Sequence, residues 1–275
     1  MTQDFKIEKE LLAVSFGTSY PDSRRLTIGA IEERLAQAFP DFEVRRAFTS
    51  QMIIERIKEK EGEAIDNVRE ALNRAVKAGV KQLVIQPTHV LNGLEYQDLV
   101  KEAARYENAF EGISIGAPLL TDEADYRRVM EAVVNAMKIY DDGETALCLM
   151  GHGTEAESNS AYRKMQEMFR QSGYHNYWIG TVEASPDLQD VLKAVKKGGY
   201  RKAVLRPFMI VAGDHANNDM AGDDEDSWKS VFETAGLQVT AIVEGLGQLP
   251  AIREIFVDHG QAAEEKLLYR KKNKE

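Results

Sequence analysis

Short apolar runs of strand length alternate along this chain with longer segments of helical periodicity. The runs predict strands at residues 11–16, 43–47, 82–86, 113–115, 146–150, 177–181, 203–209 and 238–242. Between the first two, residues 22–39 carry apolar side chains at helical spacing, and Pro21 stands where a helix would begin. Continuous apolar strands are typical of parallel sheets covered on both faces. The pattern therefore predicts a doubly wound α/β fold with right-handed crossovers.

Two stretches of the chain repeat each other, which indicates an internal duplication. Three pairs of residues recur at one constant spacing: Pro87 and Pro207, Gly93 and Gly213, and Glu95 and His215. A second repeat links residues 12–18 with residues 147–154. We expect two similar doubly wound parallel-sheet domains, residues 1–140 and 141–275, with a cleft between them. The last helix, at about residues 250–269, has no counterpart in the first half and is a candidate to pack back on the first domain.

Composition and charge exclude several classes of protein. The chain has 275 residues, of which 43% are hydrophobic and 29% charged, as in ordinary globular proteins. Its net charge of −10, without a basic stripe, does not suit nucleic-acid binding. No apolar run is long enough to span a membrane, and the first residues lack the apolar segment of an export signal. With Cys148 as its one cysteine, the chain is expected to be cytoplasmic.

Three polar side chains follow three strands of the second domain. His152 follows residues 146–150, Glu183 follows residues 177–181, and His215 lies beyond residues 203–209. Loops after parallel strands emerge at one edge of a sheet, where ligands bind. Two imidazoles and a carboxylate suit a divalent first-row metal, so we expect a metal site at this edge.

Other candidates surround this predicted site. Asp214 could orient an imidazole, as outer-shell carboxylates do in metal sites. His89 and Glu95 lie in the duplicated loop of the first domain. The hydroxyls of Ser15, Thr18 and Ser19 lie in a loop that precedes a predicted helix, where an anion can bind. Neither a phosphate-binding loop nor a dinucleotide motif is present, so no organic cofactor is expected.

Several of these segments together resemble one known family of enzymes. They are residues 14–19, 86–96, 150–154, 181–183 and 207–216, and the match extends nearly from end to end. The sequence resembles the anaerobic sirohydrochlorin cobaltochelatases of the CbiK type, within the class II chelatases. The resemblance implies two α/β domains that enclose a tetrapyrrole and an enzyme that inserts Co²⁺ into sirohydrochlorin in anaerobic cobalamin biosynthesis. The tetrapyrrole and the divalent metal are then its partners, both as substrates.

The resemblance also assigns roles to residues. It implies that His152 and His215 are catalytic and that Glu183 completes the Co²⁺ site. One of the two histidines would accept a pyrrole proton, and the sequence leaves open which one. The candidate substrate contacts are Ser15, Thr18, Ser19, His89 and Glu95. A polycarboxylate substrate must bind despite the net charge of −10, so Arg45, Arg46 and Arg206 are further candidates near strand ends.

Other functions remain open on the sequence alone. A sirohydrochlorin ferrochelatase or a protoporphyrin ferrochelatase would use the same kind of donor set, because such ligands do not select among Fe²⁺, Co²⁺ and Ni²⁺ by themselves. A non-catalytic carrier of cobalt or of a tetrapyrrole would need the same two domains. The oligomeric state is open as well, a homo-oligomer included.

Overall fold

The computed structural model describes residues 8–272, with side chains up to Leu267. The start of the chain, on which the expectation about an export signal rests, lies outside the described residues. The chain divides into two compact units. Unit 1 comprises the described residues up to Ser19, Ile28–Leu119 and the chain from Arg253 onward, and unit 2 comprises Tyr20–Thr27 and Leu120–Ile252.

Eight strands and ten α-helices alternate along the described part of the chain. In order they are β1 (Lys9–Ser15), α1 (Pro21–Arg24), α2 (Ala30–Ala38), β2 (Glu43–Phe48), α3 (Gln51–Glu61), α4 (Val68–Ala78), β3 (Gln82–Pro87), α5 (Leu94–Ala104), β4 (Gly112–Ile115), α6 (Glu123–Met137), β5 (Thr145–Gly151), α7 (Ser160–Gln171), β6 (Tyr177–Thr181), α8 (Leu188–Lys197), β7 (Lys202–Pro207), α9 (Trp228–Thr234), β8 (Gln238–Ala241) and α10 (Pro250–Lys272). None of the described helices is long and apolar enough to cross a membrane.

Each unit contains one parallel four-stranded sheet, and the two sheets have the same topology. The strand order is β2-β1-β3-β4 in unit 1 and β6-β5-β7-β8 in unit 2. The register is also repeated, since Val14 of β1 pairs with Pro87 of β3 and Met150 of β5 pairs with Pro207 of β7. The structure thus confirms the predicted fold of two similar parallel-sheet α/β domains.

Burial explains why the central strands read as continuous apolar runs. Every residue of β5 is buried, and in β1 only the first residue is partly exposed. Helices cover both faces of such strands, so alternation between apolar and polar residues is not needed. In unit 2 the core includes Trp228 and Phe232 of α9, whose rings stack with centroids 6.3 Å apart. The loops at the sheet edges are therefore attached to buried, well-packed strands.

Helix capping fixes where the loops of unit 2 end. At the start of α8 the side chain of Asp187 accepts from the N–H of Asp190 at 2.9 Å, and the Asp190 carboxylate accepts from the N–H of Asp187 at 3.2 Å. Such a reciprocal capping box satisfies two N–H groups that the helix itself cannot use. The loop between β6 and α8 is therefore short and fixed at both ends.

The chain passes from unit 1 to unit 2 near residue 120, whereas the sequence predicts the domain boundary near residue 141. The difference lies in α6, which belongs to unit 2 and packs against α7. Lys164 of α7 lies 3.4 Å from the carboxylate of Glu123 and 4.1 Å from the ring centroid of Tyr126. The polar turn that suggested a boundary instead joins α6 to β5 within unit 2, where Asp141 accepts from the side chain of Asn176 at 2.8 Å.

The last helix, α10, follows unit 2 in the sequence, but most of it packs in unit 1. From Arg253 onward α10 belongs to unit 1. The carboxylate of Glu254 accepts two hydrogen bonds from Arg34, at 2.6 and 2.8 Å. Further along, His259 contacts the carbonyl of Ala117 at 3.2 Å. The C-terminal segment of the chain therefore completes the fold of unit 1.

The predicted helix at residues 22–39 is interrupted. A π-helical turn at Arg25–Gly29 separates α1 from α2. Within it the hydroxyl of Thr27 donates to the carbonyl of Ser23 at 2.5 Å. Hydroxyl groups that bond back to the preceding turn compete with the regular helix ladder and bend it, and Gly29 weakens the helix at the same place.

Candidate metal centre

His152 lies in the loop that follows β5, between two glycines that the packing requires. A Cβ at Gly151 would lie 2.3 Å from a ring carbon of Tyr162, closer than any side chain can approach. Gly153 adopts a φ of +90°, and its N–H donates to the Tyr162 hydroxyl at 3.3 Å. Burial raises the pKa of the Tyr162 phenol, so this hydroxyl stays neutral. The glycines therefore hold the His152 loop against a buried tyrosine.

Glu183 lies in the loop after β6, and main-chain hydrogen bonds join this loop to that of His152. The N–H of Glu183 donates to the carbonyl of His152 at 2.9 Å, and the N–H of Val182 donates to the same carbonyl at 3.1 Å. The hydroxyl of Thr181 donates to the carbonyl of Ala184 at 2.6 Å and closes the turn. The main chain thus sets the separation between Glu183 and His152.

His215 lies beyond β7, directly before a π-helical turn at Ala216–Met220. The side-chain amide of Asn217 donates to the carbonyl of Gly213 at 2.7 Å and fixes the preceding loop. The Nδ1 atom of His215 lies 2.7 Å from Oδ2 of Asp219. Since β6 and β7 both flank β5 in the sheet, the three loops emerge side by side.

The structure brings together the three residues that the sequence nominates as metal ligands. One ligand atom from each of His152, Glu183 and His215 lies within 4.8 Å of the others. The two imidazole rings are 4.8 Å apart between centroids, at an angle of 84°. Nδ1 of His152 lies 3.6 Å from Oε2 of Glu183 and 2.9 Å from the carbonyl of Gly153. Within the described part of the chain, these three form the one cluster of His, Cys, Asp and Glu side chains with this spacing.

The cluster is open to solvent and offers nitrogen and oxygen donors. The side chains of His152, Glu183 and His215 are 45%, 55% and 32% exposed. Structural metal sites are closed and use four protein ligands, whereas catalytic sites keep a position open for water or substrate. With three donors and partial exposure, this cluster can hold a divalent metal ion and leave positions free for transfer to another ligand.

The partner of His215 differs from the one that the sequence suggested. The Asp214 carboxylate makes no hydrogen bond to the His215 ring. It accepts from the side chains of Asn218 at 3.0 Å and Tyr20 at 3.4 Å. Asp219 takes this place because residues four apart lie on one face of a helical turn, while adjacent residues diverge. Sequence reasoning missed Asp219, since residues 216–220 had no recognisable helical pattern.

The candidate substrate contacts of unit 1 differ in exposure. Ser15 and Thr18 are buried, and the Thr88 hydroxyl donates to Oγ of Ser15 at 2.8 Å. Ser19 is half-buried, and Glu95 is exposed in the first turn of α5. An internal partner makes Ser15 a part of the loop structure, so Ser19 and Glu95 are the more accessible of the four.

His89 lies two residues after the end of β3, in a half-buried position. Both of its ring nitrogens are shielded from solvent and have no hydrogen-bond partner. Burial lowers the pKa of His89 to about 4, so the ring is neutral at pH 7. A neutral imidazole has one donor and one acceptor, and both are unused here.

Three exposed apolar side chains follow the carboxyl ends of strands in unit 1. Phe16 follows β1, Met52 lies in the first turn of α3 after β2, and Leu94 opens α5 after β3. They are 45%, 55% and 62% exposed. The carboxyl edge of a parallel sheet is the edge at which ligands bind in such folds. The only signal for them in the sequence is an apolar residue immediately after a strand or at a helix start.

The arginines considered for carboxylate binding are already paired. Arg46 donates two hydrogen bonds to Glu32, at 2.8 and 2.6 Å. Arg45 forms an ion pair with Glu43. Arg206 is buried, and its guanidinium lies 3.4 Å from Glu244. Each of the three therefore has a carboxylate neighbour, but Nε and Nη2 of Arg206 are buried without a hydrogen-bond partner.

Comparison with known proteins gives a consistent set of relatives. The family model for cobalt chelatase (CbiK) matches residues 9–265. The sirohydrochlorin cobaltochelatase of Salmonella typhimurium is 38% identical over 253 residues, which cover 92% of this chain and 95% of that protein. The sirohydrochlorin cobaltochelatase CbiKC of Nitratidesulfovibrio vulgaris is 32% identical, covering 93% of this chain and 90% of that protein.

Solved structures share the fold at low sequence identity. SirB from Bacillus subtilis with Fe³⁺ superposes with a TM-score of 0.64 at 14% identity, covering 93% of this chain and 95% of that chain. The sirohydrochlorin chelatase SirB from Bacillus subtilis subspecies spizizenii in complex with cobalt gives a TM-score of 0.62 at 15% identity, covering 94% and 96%. These likenesses support the two-domain fold.

Proposed function

This chain belongs to the cobalt chelatase (CbiK) family, and we propose that it is a sirohydrochlorin cobaltochelatase, an enzyme that inserts Co²⁺ into sirohydrochlorin. The observation that carries the proposal is the cluster of His152, Glu183 and His215 at the carboxyl edge of the unit 2 sheet. It occurs in a chain that shares 38% identity with a sirohydrochlorin cobaltochelatase over nearly its whole length. The product would serve anaerobic cobalamin biosynthesis.

The metal is a substrate in this proposal, and the cluster would hold it before transfer. Two imidazole nitrogens and a carboxylate suit a divalent first-row ion. All three side chains are at least 32% exposed, so the ion would keep positions that solvent or the ring nitrogens can occupy. A site with open coordination positions favours release of the metal ion, which a chelatase needs and a storage protein does not.

Insertion replaces two pyrrole N–H protons by one divalent cation. Two protons therefore leave the ring for each ion inserted, and we propose that a base of the protein close to the metal accepts one of them while the other passes to solvent. His152 and His215 are the candidates, because a neutral imidazole has a lone pair that can accept a proton or bind a metal. We propose these two residues as catalytic and Glu183 as the third metal ligand. A positioned base contributes about 10² to 10⁴ in rate.

For the tetrapyrrole we propose a contact surface at the carboxyl edge of the unit 1 sheet. Phe16, Met52 and Leu94 offer apolar area that suits the flat face of the macrocycle. Ser19, which is half-buried, and Glu95, which is exposed in the first turn of α5, are polar side chains that follow β1 and β3 at the same edge. Steering by charge would oppose a polycarboxylate, since the chain has a net charge of −10, so short-range contacts must supply the affinity.

The cytoplasmic location and the oligomeric state stay predictions. The single cysteine, Cys148, is buried and unpaired, and burial raises its pKa, so its thiol stays protonated and has no part in the proposed chemistry.

Anaerobic assays of metallation test the function. The visible spectrum of sirohydrochlorin with Co²⁺ would be followed for wild type, His152→Ala and His215→Ala, with His175→Ala as control. His175 is an exposed histidine of unit 2 outside the cluster. We expect multiple turnovers by wild type and control and a loss of at least about tenfold in the two cluster variants.

The alternatives predict other results in the same assay. A carrier would bind cobalt or sirohydrochlorin stoichiometrically without turnover. A ferrochelatase would prefer Fe²⁺ to Co²⁺ when the two compete, and a protoporphyrin enzyme would prefer the other ring. Full activity in both His152→Ala and His215→Ala would refute the proposed residues.

A further inference from the structure

The Nδ1 atom of His215 contacts a carboxylate, and this contact constrains the chemistry of the other ring nitrogen, Nε2. Its Nδ1 lies 2.7 Å from Oδ2 of Asp219, a short hydrogen bond between groups that are 32% and 46% exposed. An ionised carboxylate can only accept hydrogen bonds, so Nδ1 must carry the hydrogen. The neutral ring then has its lone pair on Nε2.

We infer that Asp219 is a positioning residue that holds His215 in the Nδ1–H tautomer and directs the Nε2 lone pair to the reaction. The inference deepens the proposed function and rests on it for the identity of the metal. Asp219 itself acts through His215. Without the carboxylate the ring could place its hydrogen on Nε2, and that nitrogen could then neither bind a metal nor accept a proton.

The local fold holds Asp219 in place. The π-helical turn at Ala216–Met220 has fully buried side chains at both ends, Ala216 and Met220. The N–H of Ala221 closes the turn on the carbonyl of Ala216 at 3.2 Å. Short π-helical turns occur frequently at functional sites. Because both ends of the turn are anchored in the core, Asp219, four residues after His215, stays on the same side of the turn and close to the ring.

The second histidine is held by a different device. Nδ1 of His152 lies 2.9 Å from the carbonyl of Gly153, which also accepts only. Both rings therefore present Nε2, but the main chain sets the tautomer of His152, whereas a side chain sets that of His215. A substitution at Asp219 can thus change one ring and leave the other as it is.

A matched variant separates tautomer control from the loss of charge. Asp214→Ala removes the same charge from the same loop, and its carboxylate bonds to Asn218 and Tyr20 rather than to a histidine. Asp219→Ala removes the acceptor on His215. Asp219→Glu keeps an acceptor and should restore part of the wild-type behaviour.

The first measurement reads the tautomer directly in the metal-free protein. Long-range ¹⁵N–¹H NMR at a pH of about 8.5, well above the ordinary histidine pKa of about 6.5, distinguishes the protonated from the bare ring nitrogen. The signals of His215 are identified by their absence in His215→Ala. We expect the Nδ1–H form in wild type, Asp214→Ala and Asp219→Glu, and a large loss of this form in Asp219→Ala.

The second measurement is the dissociation constant for Co²⁺ alone, from its visible absorption. Loss of an outer-shell partner of a metal-bound histidine typically costs 10- to 100-fold in affinity, so we expect a weakening of about that size in Asp219→Ala. Asp214→Ala should remain within about twofold of wild type, and circular dichroism should show that both variants keep their fold.

Failure of the proposed role of Asp219 and failure of the proposed function would give different results. The Nε2–H form in wild type, or an Asp219→Ala protein that matches Asp214→Ala in both tautomer and affinity, would overturn the role of Asp219. If wild type shows the Nδ1–H form but does not bind Co²⁺, the tautomer result supports Asp219 while the proposed metal fails.

Discussion

At the scale of the residue, the proposed metal chemistry depends on three side chains whose positions are set by different means. Main-chain hydrogen bonds place Glu183 beside His152, and a carboxylate four residues away orients His215. The sequence could nominate all three, because each follows a strand of a parallel sheet. It could not identify Asp219, because a π-helical turn leaves no periodic signal and only the folded loop shows which carboxylate contacts the ring.

Gly153 provides a test of how the His152 loop is built. Its φ of +90° is strained for any other residue, and a Cβ would lie 2.9 Å from the N atom of Ala184. Gly153→Ala should therefore lower the free energy of unfolding by about 1–2 kcal/mol for the backbone strain, plus about 1–3 kcal/mol for overpacking. Urea titration measures the stability, and a Co²⁺ titration measures the site.

The control is Gly173→Ala, in the same unit. Gly173 has a φ of +88° and open space around its Cβ, so it carries the strain without the collision. We expect a smaller loss of stability and unchanged Co²⁺ affinity in the control. Equal effects of the two substitutions on Co²⁺ affinity would show that the packing of Gly153 does not position His152.

At the scale of the element, the sequence predicted the strands better than the helices. Buried parallel strands produce apolar runs that are visible without tertiary information, as in β5. The helix at residues 22–39 was wrong as a continuous element because the bond from Thr27 to Ser23 depends on local geometry. Helix propensity and the spacing of apolar residues do not indicate where such competing hydrogen bonds form.

Strand β1 contains a buried carboxyl group that should make stability depend on pH. Burial of Glu10 raises its pKa to about 6 from 4.5, and the opposing attraction of Arg74 and Arg45 only partly offsets this, with Glu43 and Asp66 adding repulsion. As pH rises from about 4.5 to 6, the unfolded chain releases its proton before the folded protein does. The folded state therefore loses stability across this range, by about 2 kcal/mol at 1.4 kcal/mol per pKa unit.

Replacement of Glu10 tests this assignment. The stability of Glu10→Gln relative to wild type, from urea unfolding between pH 4 and 7, should rise by about 2 kcal/mol over that range. Glu33→Gln, which removes an exposed carboxylate of α2 in the same unit, should show no such change. The comparison must be between variants, because the low pKa of His89 gives an opposite slope, with stability falling as pH falls from about 6.5 to 4. Parallel profiles for Glu10→Gln and wild type would exclude Glu10 as the source.

At the scale of the whole molecule, two units of one topology have diverged at equivalent loops. The position after β7 has His215, and its counterpart after β3 has Glu95. The repeat made the duplication predictable from the sequence. The division of the chain was harder to predict, because α6 packs on α7 in unit 2 and α10 packs in unit 1. Both helices are placed in their units by tertiary contacts, and a polar turn near residue 141 gives no information about those contacts.

Binding of Co²⁺ by His152, Glu183 and His215 can be observed in a crystal structure of the protein with Co²⁺, with anomalous diffraction measured at the cobalt absorption edge. We expect one strong peak within about 2.0–2.2 Å of donor atoms from His152, Glu183 and His215. We also expect that the Nδ1 atom of His215 still faces Asp219, since Nε2 is the metal-binding nitrogen. A cobalt ion bound elsewhere, with this cluster empty under the same conditions, would show that these three residues do not form the cobalt site.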